Sequence, residues 1–404
     1  MPLTAARSDA EVRGTLHDMF VAQAEATPER MALVDGLGSL TYGELATRAE
    51  YLASHLAALG VARDTAVGLY LRKSSAYMVA LMAALMAGGA FFVIEVASPR
   101  PLLKHMLATV APPVVITDAE LEPTLIEALD GAECSPVVIE YEAHGPSVDK
   151  WMAPLSELVA AQGLPPLPAD KRVPVDRDAL AFVSASSGTT GMPKAILNPH
   201  HAPVTSYIWR WSLAGGDYTP LPGRNGYVVA ANVFYIWESI RPLLRGGTLL
   251  SIPNSIIYDF PALVSYLEEH DVSEMLFTPS LIESLLASYD MDALRALFAG
   301  FAIVWLNGEV VTRKLLATLE SVLPDSCALY NLYSISECHE VAALNLRKPE
   351  LLADSPAVAP VGFPADTAHC HILDSETLAP VAPGEAGELF VSGPVLARGY
   401  SSPG

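Results

Sequence analysis

Residues 184–194 read Ser184-Ala185-Ser186-Ser187-Gly188-Thr189-Thr190-Gly191-Met192-Pro193-Lys194 and follow the apolar run 179–183 directly. The apolar run predicts a buried strand, so the small and hydroxylic residues after it form a loop at a strand end. Glycines let the backbone approach an anion closely, while successive N–H groups, hydroxyls and a lysine supply donors and positive charge. The stretch therefore predicts a phosphate-binding loop, although an ordinary Gly/Ser-rich turn has a similar composition.

This loop differs from the common P-loop, which has Gly directly before its Lys and Ser or Thr directly after it. Here Pro193 precedes Lys194 and Ala195 follows it. The string resembles the phosphate loop of the adenylate-forming (ANL) superfamily, which includes acyl-CoA synthetases, luciferases and the adenylation domains of nonribosomal peptide synthetases. Those families usually have Gly where this chain has Ala195. The resemblance implies Thr190 and Lys194 as catalytic residues. It implies the following nucleotide-binding residues in the loop: Ser186, Ser187, Gly188, Thr189, Thr190, Gly191 and Lys194.

The composition restricts the class of protein and of partner. A chain of 404 residues can form about two or three lobes. No run of about 18 apolar residues lacks a charge or a turn, so we expect no membrane partner. The net charge of −21 argues against nucleic acid, which requires clustered Lys and Arg. The four cysteines lack CxxC spacing and residues 1–9 lack a signal-peptide core, which favours the cytoplasm.

Strand and helix patterns alternate along most of the chain. Residues 67–94 have the strand–helix–strand rhythm of a parallel sheet, and the alternation returns from 203 to 306. Beyond Val361, short alternating segments with Pro and Gly turns predict a small β-rich lobe. We therefore expect an α/β protein with two stacked doubly wound lobes and the start of a small distorted β-barrel lobe. The expected boundaries are 1–178, 179–358 and 359–404.

A second signature follows a predicted strand and reads Asn331-Leu332-Tyr333-Ser334-Ile335-Ser336-Glu337. The family commonly has Asn-x-Tyr-Gly-x-Thr-Glu at this place, so Ser334 replaces a glycine. A Tyr ring can stack on adenine, an Asn amide can hydrogen-bond to its edge, a hydroxyl can bind a phosphate oxygen, and Glu can bind Mg²⁺. The resemblance implies Asn331 and Tyr333 for adenine, Ser336 for phosphate, and Glu337 as the metal ligand and a catalytic residue.

Two further stretches match family motifs in the same order. Asn307-Gly308-Glu309-Val310 resembles the segment whose backbone flanks adenine, which adds Gly308 and Glu309 to the nucleotide-binding residues. Residues 387–400 match the late core motif. The family's next motif, Tyr-x-Thr-Gly-Asp, and its C-terminal lid with a catalytic Lys do not follow. The resemblance thus implies the large N-terminal part of an adenylation domain without its lid, and we expect residues 1–404 alone to be nearly inactive.

The resemblance implies a reaction in two parts. A substrate carboxylate attacks the α-phosphorus of ATP, giving an acyl-adenylate and pyrophosphate, and a thiol then takes the acyl group, with Mg²⁺ and cationic donors neutralising charge. The chain enters this domain soon after its Met, without a condensation domain, as in a synthetase-like carboxylic acid reductase. We therefore expect phosphopantetheine on a downstream carrier domain of the same polypeptide, followed by a reductase domain. A loading module, an acyl-CoA synthetase and a non-catalytic nucleotide-binding module are the alternatives.

The acid substrate is expected to lack a free α-amino group. Amino-acid-activating relatives have Phe-Asp-x-Ser-x-Trp-Glu where this chain has residues 232–238, so Val233 replaces the Asp that pairs with the α-ammonium. An ammonium buried without a counter-ion is costly. The other pocket residues that the resemblance implies are Phe234, Trp237, Phe277, Trp305, Asn307, Leu332, Glu340 and Val341.

This lining of aromatic rings and one carboxylate favours a small quaternary ammonium acid such as glycine betaine. Each aromatic face contributes on the order of 0.5–2 kcal/mol to the binding of such a cation. The alternative is a plain apolar pocket for an aryl, keto or branched acid, in which Glu340 turns away or bonds to a neighbour.

Overall fold

The computed structural model describes most of the chain. The described residues are 14–131, 134–140, 167, 172–186, 192–213, 218, 223–224, 226–352 and 357–401. Among these residues, no helix has the length and the apolar character needed to cross a membrane.

The described residues fall into two compact units. The amino unit consists of the described parts of Ala6–His200, Phe234–Asn254 and Ala397–Gly404. The central unit consists of the described parts of His201–Val233 and Ser255–Leu396. The predicted division into three lobes uses other boundaries and stays a prediction.

The secondary structure alternates between strands and helices, with short strands after the last helix. The strands are β1 Met31–Asp35, β2 Gly38–Thr41, β3 Ala66–Tyr70, β4 Ala90–Val93, β5 Val114–Thr117, β6 Val137–Glu140, β7 Leu180–Ala185, β8 Ala195–Pro199, β9 Val228–Ala231, β10 Thr248–Ser251, β11 Glu274–Phe277, β12 Ile303–Asn307, β13 Ala328–Ile335, β14 His339–Asn345, β15 Phe363–Pro364, β16 His369–Leu373, β17 Glu388–Ser392 and β18 Gly399–Tyr400. The helices are α1 Leu16–Ala26, α2 Tyr42–Ala58, α3 Ser75–Met86, α4 Arg100–Val110, α5 Glu122–Leu129, α6 His201–Leu213, α7 Tyr235–Glu238, α8 Ile240–Leu243, α9 Phe260–Glu269, α10 Pro279–Ala287, α11 Met291–Phe298 and α12 Arg313–Val322, with a 3₁₀ turn at Pro349–Leu352.

The amino unit contains a seven-stranded sheet in the order β18-β8-β7-β4-β3-β5-β6. Strands β7, β4, β3, β5 and β6 are parallel, whereas β8 and β18 run antiparallel at one edge. Helix α3 connects β3 to β4, and all 12 of its residues are buried. Its Ala, Leu and Met residues are strong helix formers, and Gly88 follows the helix with a φ of +86°, which a residue with a side chain rarely adopts. The predicted strand–helix–strand pattern is thus confirmed.

The central unit contains six strands in the order β15-β14-β13-β12-β11-β9. The four strands β9, β11, β12 and β13 are parallel, whereas β14 and β15 are antiparallel to their neighbours. Because parallel strands end at the same edge of a sheet, the carboxyl ends of these four strands form one edge. The predicted α/β class with parallel sheets is confirmed.

The chain beyond residue 359 is rich in short strands, as its sequence predicts. Strands β16 and β17 form a two-stranded antiparallel sheet in the central unit, and β15 extends the larger sheet of that unit. Strand β18 pairs with β8 in the amino unit. Within residues 357–401 these strands do not close into the barrel that the sequence predicts, because each of them joins a sheet or pairs with one partner only.

Candidate active site

The carboxyl edge of the central sheet carries predicted substrate and nucleotide residues from four adjacent strands. Val233 follows β9, Phe277 ends β11, and Asn307 ends β12. Gly308 comes directly after β12, and Tyr333 lies in the last half of β13. Open α/β sheets bind their ligands outside the carboxyl ends of parallel strands, so this edge is the place where a ligand of the central unit is expected.

The turn between β13 and β14 carries the predicted phosphate and metal residues. Ser336 and Glu337 lie in this turn, which the hydrogen bond from the Cys338 N–H to the Ile335 carbonyl closes at 3.0 Å. Both side chains are half-buried. Burial, with the nearby Cys338 thiol as a smaller cause, raises the pKa of Tyr333, so its hydroxyl stays a neutral donor at neutral pH. The turn thus presents a hydroxyl and a carboxylate together.

Ser334, which replaces the family's glycine, connects two strands of this edge. The Asn307 side-chain amide donates to the Ser334 hydroxyl at 3.0 Å, and that hydroxyl lies 3.2 Å from the amide oxygen of Asn307. The pairing register of β13 shifts between Tyr333 and Ser334. Ser334 is not among the described non-glycine residues with positive φ. The local backbone therefore accommodates serine, and the serine hydroxyl makes a contact with Asn307 that glycine could not make.

Asn331, predicted to read adenine, already has one partner within the central unit. It is 6% exposed, and its side-chain amide donates to the Pro360 carbonyl at 2.8 Å. The contact leaves the amide oxygen as the acceptor that an adenine amino group could use.

Glu309 and Gly308 have local structural roles after β12. Gly308 has a φ of +89°, which favours glycine. The Glu309 carboxylate accepts hydrogen bonds from the Ser280 N–H and the Ser280 hydroxyl, both at 2.8 Å. Ser280 lies in the first turn of α10, so the carboxylate meets the positive end of that helix.

The phosphate loop joins β7 to β8 in the amino unit. Five of its predicted residues, Ser187, Gly188, Thr189, Thr190 and Gly191, lie outside the described residues. At its base, the Ser186 N–H donates to the Lys194 carbonyl at 2.9 Å, and the Lys194 N–H donates to the Ser186 hydroxyl at 3.1 Å. These bonds pair the two ends of the loop, Ser186 and Lys194.

The residues present fit Mg²⁺ as an ion shared with phosphate. Within the described ranges, no group of three or more His, Cys, Asp or Glu side chains could hold a metal ion. Mg²⁺ is usually bound by one or two carboxylates together with substrate phosphates and water. A single carboxylate such as that of Glu337, beside the Ser336 hydroxyl, matches this donor set.

The motifs on these edges and loops belong to one sequence family. Residues 20–401 match the family described as AMP-binding enzyme, which is most of the chain. The chain belongs to the AMP-binding enzyme family. It is an adenylate-forming ligase domain, and its recognition from the sequence as a member of the adenylate-forming superfamily is confirmed.

Curated relatives of this AMP-binding domain are much longer than the chain. It is 39% identical over 385 residues to glycine betaine reductase ATRR of Emericella nidulans, covering 95% of this chain and 28% of that protein. It is 30% identical over 387 residues to malpinin synthetase of Mortierella alpina, covering 95% of this chain and 5% of that protein. The chain thus spans 28% or less of the length of both relatives.

A solved structure confirms the AMP-binding fold. The ATP-bound MatB from Rhodopseudomonas palustris superposes with a TM-score of 0.77 at 17% identity, covering 96% of this chain and 72% of that chain. At this identity the likeness shows the fold alone.

The predicted acid-pocket residues of the AMP-binding domain are divided between the units. Four of them, Val233, Trp305, Leu332 and Val341, lie in one hydrophobic cluster of the central unit. Phe277 is fully buried at the end of β11. In the amino unit, Phe234 is 39% exposed and has a φ of +50°, and the Trp237 ring packs edge-on against Phe182 at 4.8 Å.

Glu340 is bonded to neighbours, as the apolar alternative expects. One carboxylate oxygen accepts from the Arg210 guanidinium at 2.8 Å, and the other accepts from the Ser206 hydroxyl. The Arg210 guanidinium carbon also lies 4.3 Å from the centre of the Trp305 ring. The family motifs gave no indication of Ser206 and Arg210. Their four-residue spacing on helix α6, His201–Leu213, is the signal that places both on one face of the helix.

Proposed function

We propose that this adenylate-forming domain activates a carboxylic acid without a free α-amino group, with glycine betaine as the first candidate. The observation that carries the proposal is the surroundings of Val233. This side chain packs against the hydrophobic cluster around Trp305, at the position where amino-acid-activating relatives have Asp. An α-ammonium placed there would be desolvated without that carboxylate, which is unfavourable.

The similarity to a protein named glycine betaine reductase, at 39% identity, supports the betaine candidate. A trimethylammonium group binds aromatic faces through cation–π contacts and apolar contacts. The Phe234 side chain is 39% exposed, so it has surface to offer a ligand. The positive φ of Phe234 is strained for a bulky residue, and such strain is concentrated at functional sites.

A neutral branched or aryl acid is the second candidate, and the Glu340–Arg210 ion pair favours it. Because Arg210 neutralises the Glu340 carboxylate, Glu340 adds little attraction for a substrate cation. A branched neutral acid can match betaine in size and differ from it in charge, so the isosteric pair of betaine and 3,3-dimethylbutyrate tests whether the charge is recognised.

For the nucleotide, we propose that Asn331 and Tyr333 contact adenine and that Gly308 and Glu309 flank it with their backbone. Ser336 and the loop residues bind phosphate, with Thr190 and Lys194 as catalytic residues. Glu337 binds Mg²⁺, which neutralises phosphate charge when bound. The fit of a single carboxylate to a phosphate-shared Mg²⁺ supports this assignment.

The acyl group is proposed to pass to the phosphopantetheine thiol of a carrier domain in the same polypeptide and then to a reductase domain. The names of the two relatives, a reductase and a synthetase, support this order.

A cytoplasmic location is part of the proposal. Its support is that all four cysteines are free thiols, as in reducing compartments.

The test is acid-dependent ATP–pyrophosphate exchange by the full-length protein. The panel contains glycine betaine, its neutral isostere 3,3-dimethylbutyrate, glycine, 3-methylbutyrate, benzoate and pyruvate. We expect exchange with betaine and little with glycine. Equal use of betaine and 3,3-dimethylbutyrate would refute recognition of the cation, and efficient use of glycine would refute the argument from Val233.

A further inference from the structure

Helix α6 carries a buried polar pair that meets the predicted acid pocket. Nine of its 13 residues are buried, which leaves Ser206 and Arg210 dependent on partners inside the protein. Both residues are 1% exposed and lie one helical turn apart. Both donate to Glu340 on β14, and the Glu340 N–H donates to the Ser206 hydroxyl at 3.3 Å. A hydrogen bond therefore holds each oxygen of the Glu340 carboxylate, and a third one joins the Glu340 backbone to Ser206.

The contacts continue from Arg210 through the Trp305 side chain. The indole N–H of Trp305 donates to the Glu274 carboxylate at 2.8 Å, and the Tyr227 hydroxyl donates to the same carboxylate at 3.1 Å. The Tyr330 ring stacks on Trp305 with centroids 4.9 Å apart. Trp305 is thus fixed by a hydrogen bond, a stacked ring and a guanidinium. The last of these comes from α6, outside the family motifs.

We propose that Arg210 is a positioning residue that sets the charge selectivity of the acid pocket. This inference rests on the proposed function, which assigns Glu340 and Trp305 to that pocket. The guanidinium neutralises the Glu340 carboxylate and covers one face of the Trp305 ring. The part of the pocket formed by Glu340 and Trp305 therefore offers a substrate cation neither a free carboxylate nor that indole face. By itself, this part of the pocket selects by shape and adds little to the discrimination between a cationic acid and its neutral isostere.

The proposal predicts opposite effects for the two halves of the ion pair. Arg210→Met keeps an unbranched side chain but removes the charge, which leaves the Glu340 carboxylate and the Trp305 face available to a cation. Glu340→Gln leaves the Arg210 charge unbalanced, which repels a cation. The double variant restores the charge balance and the wild-type selectivity. Arg210→Lys keeps the positive charge without the planar guanidinium and is the control for charge.

The experiment measures kcat/KM of the full-length protein for glycine betaine and for 3,3-dimethylbutyrate in pyrophosphate exchange. Relative to wild type, we expect the betaine preference to rise about tenfold in Arg210→Met and to fall about tenfold in Glu340→Gln. In the double variant and in Arg210→Lys it should stay within about threefold. A variant with a smaller folded fraction has a lower kcat/KM for both acids, but the ratio of the two values stays unchanged. The ratio of kcat/KM values therefore separates a positioning role from a loss of stability.

An unchanged ratio in Arg210→Met and Glu340→Gln overturns the inference. If Arg210→Met does not fold, Glu340→Gln alone decides in the same way. Failure of the proposed function has a different signature, because wild type then uses neither acid. In that case kcat/KM of the same variants is measured for the acid that wild type does use and for an isostere that differs from it in charge. An unchanged ratio in Arg210→Met and Glu340→Gln again overturns the inference.

Discussion

The Lys194 ammonium lies 5.0 Å from the centre of the Tyr400 ring in the amino unit. Lys194 ends the phosphate loop, and Tyr400 ends the late motif 387–400. Strand β18, which contains Tyr400, pairs with β8, which begins directly after Lys194. Two motifs that are far apart in sequence are therefore neighbours in the fold. The aromatic ring restricts the lysine side chain near the loop that is expected to bind phosphate.

Replacing Tyr400 with Leu should weaken ATP binding. Lys194 and Tyr400 are exposed. An exposed cation–π contact contributes about 0.5–1 kcal/mol, so we expect KM for ATP to rise about two- to fivefold. Tyr400→Phe keeps the ring and should leave KM within about twofold. The measurement is pyrophosphate exchange by the full-length protein at saturating acid. Equal increases in both variants would show that the hydroxyl, and not the ring, acts on Lys194.

Glu337→Gln should raise the Mg²⁺ concentration needed for half-maximal activity. The variant keeps the size of the side chain but replaces a charged metal ligand with a neutral one, and Mg²⁺ prefers carboxylates. We expect an increase of at least about tenfold, which excess Mg²⁺ partly reverses. Glu309→Gln, which changes another carboxylate of the central unit, is the matched control. A Mg²⁺ titration with the same midpoint in Glu337→Gln and wild type would exclude Glu337 as a ligand.

Glu309→Gln should lower stability without a change in ATP binding. The carboxylate accepts two hydrogen bonds at the start of α10, and such helix-terminal interactions contribute about 0.5–1 kcal/mol. KM for ATP should stay within about twofold, because the proposed nucleotide contact is made by the backbone. The melting temperature of Glu309→Gln is compared with that of Glu320→Gln, in which the substituted carboxylate is exposed on α12. An increase in KM without a lower melting temperature would assign the side chain to the nucleotide instead.

Acid should destabilise the amino unit through His17. Burial lowers the pKa of His17 from 6.5 to about 4, while the nearby Asp18 partly opposes the shift. Between these two values the unfolded chain binds more protons than the folded chain, so the free energy of unfolding falls as the pH is lowered. From pH 7 to pH 5 we expect His17 to account for a loss of about 2 kcal/mol.

Urea unfolding at pH 7 and pH 5 tests this expectation. His17→Gln should lose about 2 kcal/mol less stability over this interval than wild type. Replacement of the exposed His371 with Gln is the control for the substitution itself. An identical loss in His17→Gln and wild type would contradict a neutral, buried His17.

Features set by neighbours in sequence could be predicted from the sequence. The Thr41–Glu44 capping box has both of its hydrogen bonds, at 2.8 and 3.2 Å, because three residues separate the partners. The Ser334 contact and the Glu340 partners could not be predicted in this way. Arg210 lies 130 residues from Glu340, and only the packing of α6 against β14 brings them together. The expected role of Glu340 as a free carboxylate depended on that distant partner.

Introducing Asp at Val233 should convert the acid preference toward α-amino acids. The new carboxylate would lie at the edge of the hydrophobic cluster around Trp305, where a desolvated, unpaired charge costs more than the about 1–3 kcal/mol of an unsatisfied neutral polar group. An α-ammonium offsets that cost, so Val233→Asp should gain at least about tenfold in exchange with glycine or alanine, and these acids should raise its melting temperature. Val233→Asn has the same shape without the charge and should gain neither property. If Val233→Asp folds and binds ATP yet shows no response to glycine or alanine, then Val233 does not face the substrate, and the argument against an α-amino acid loses its basis.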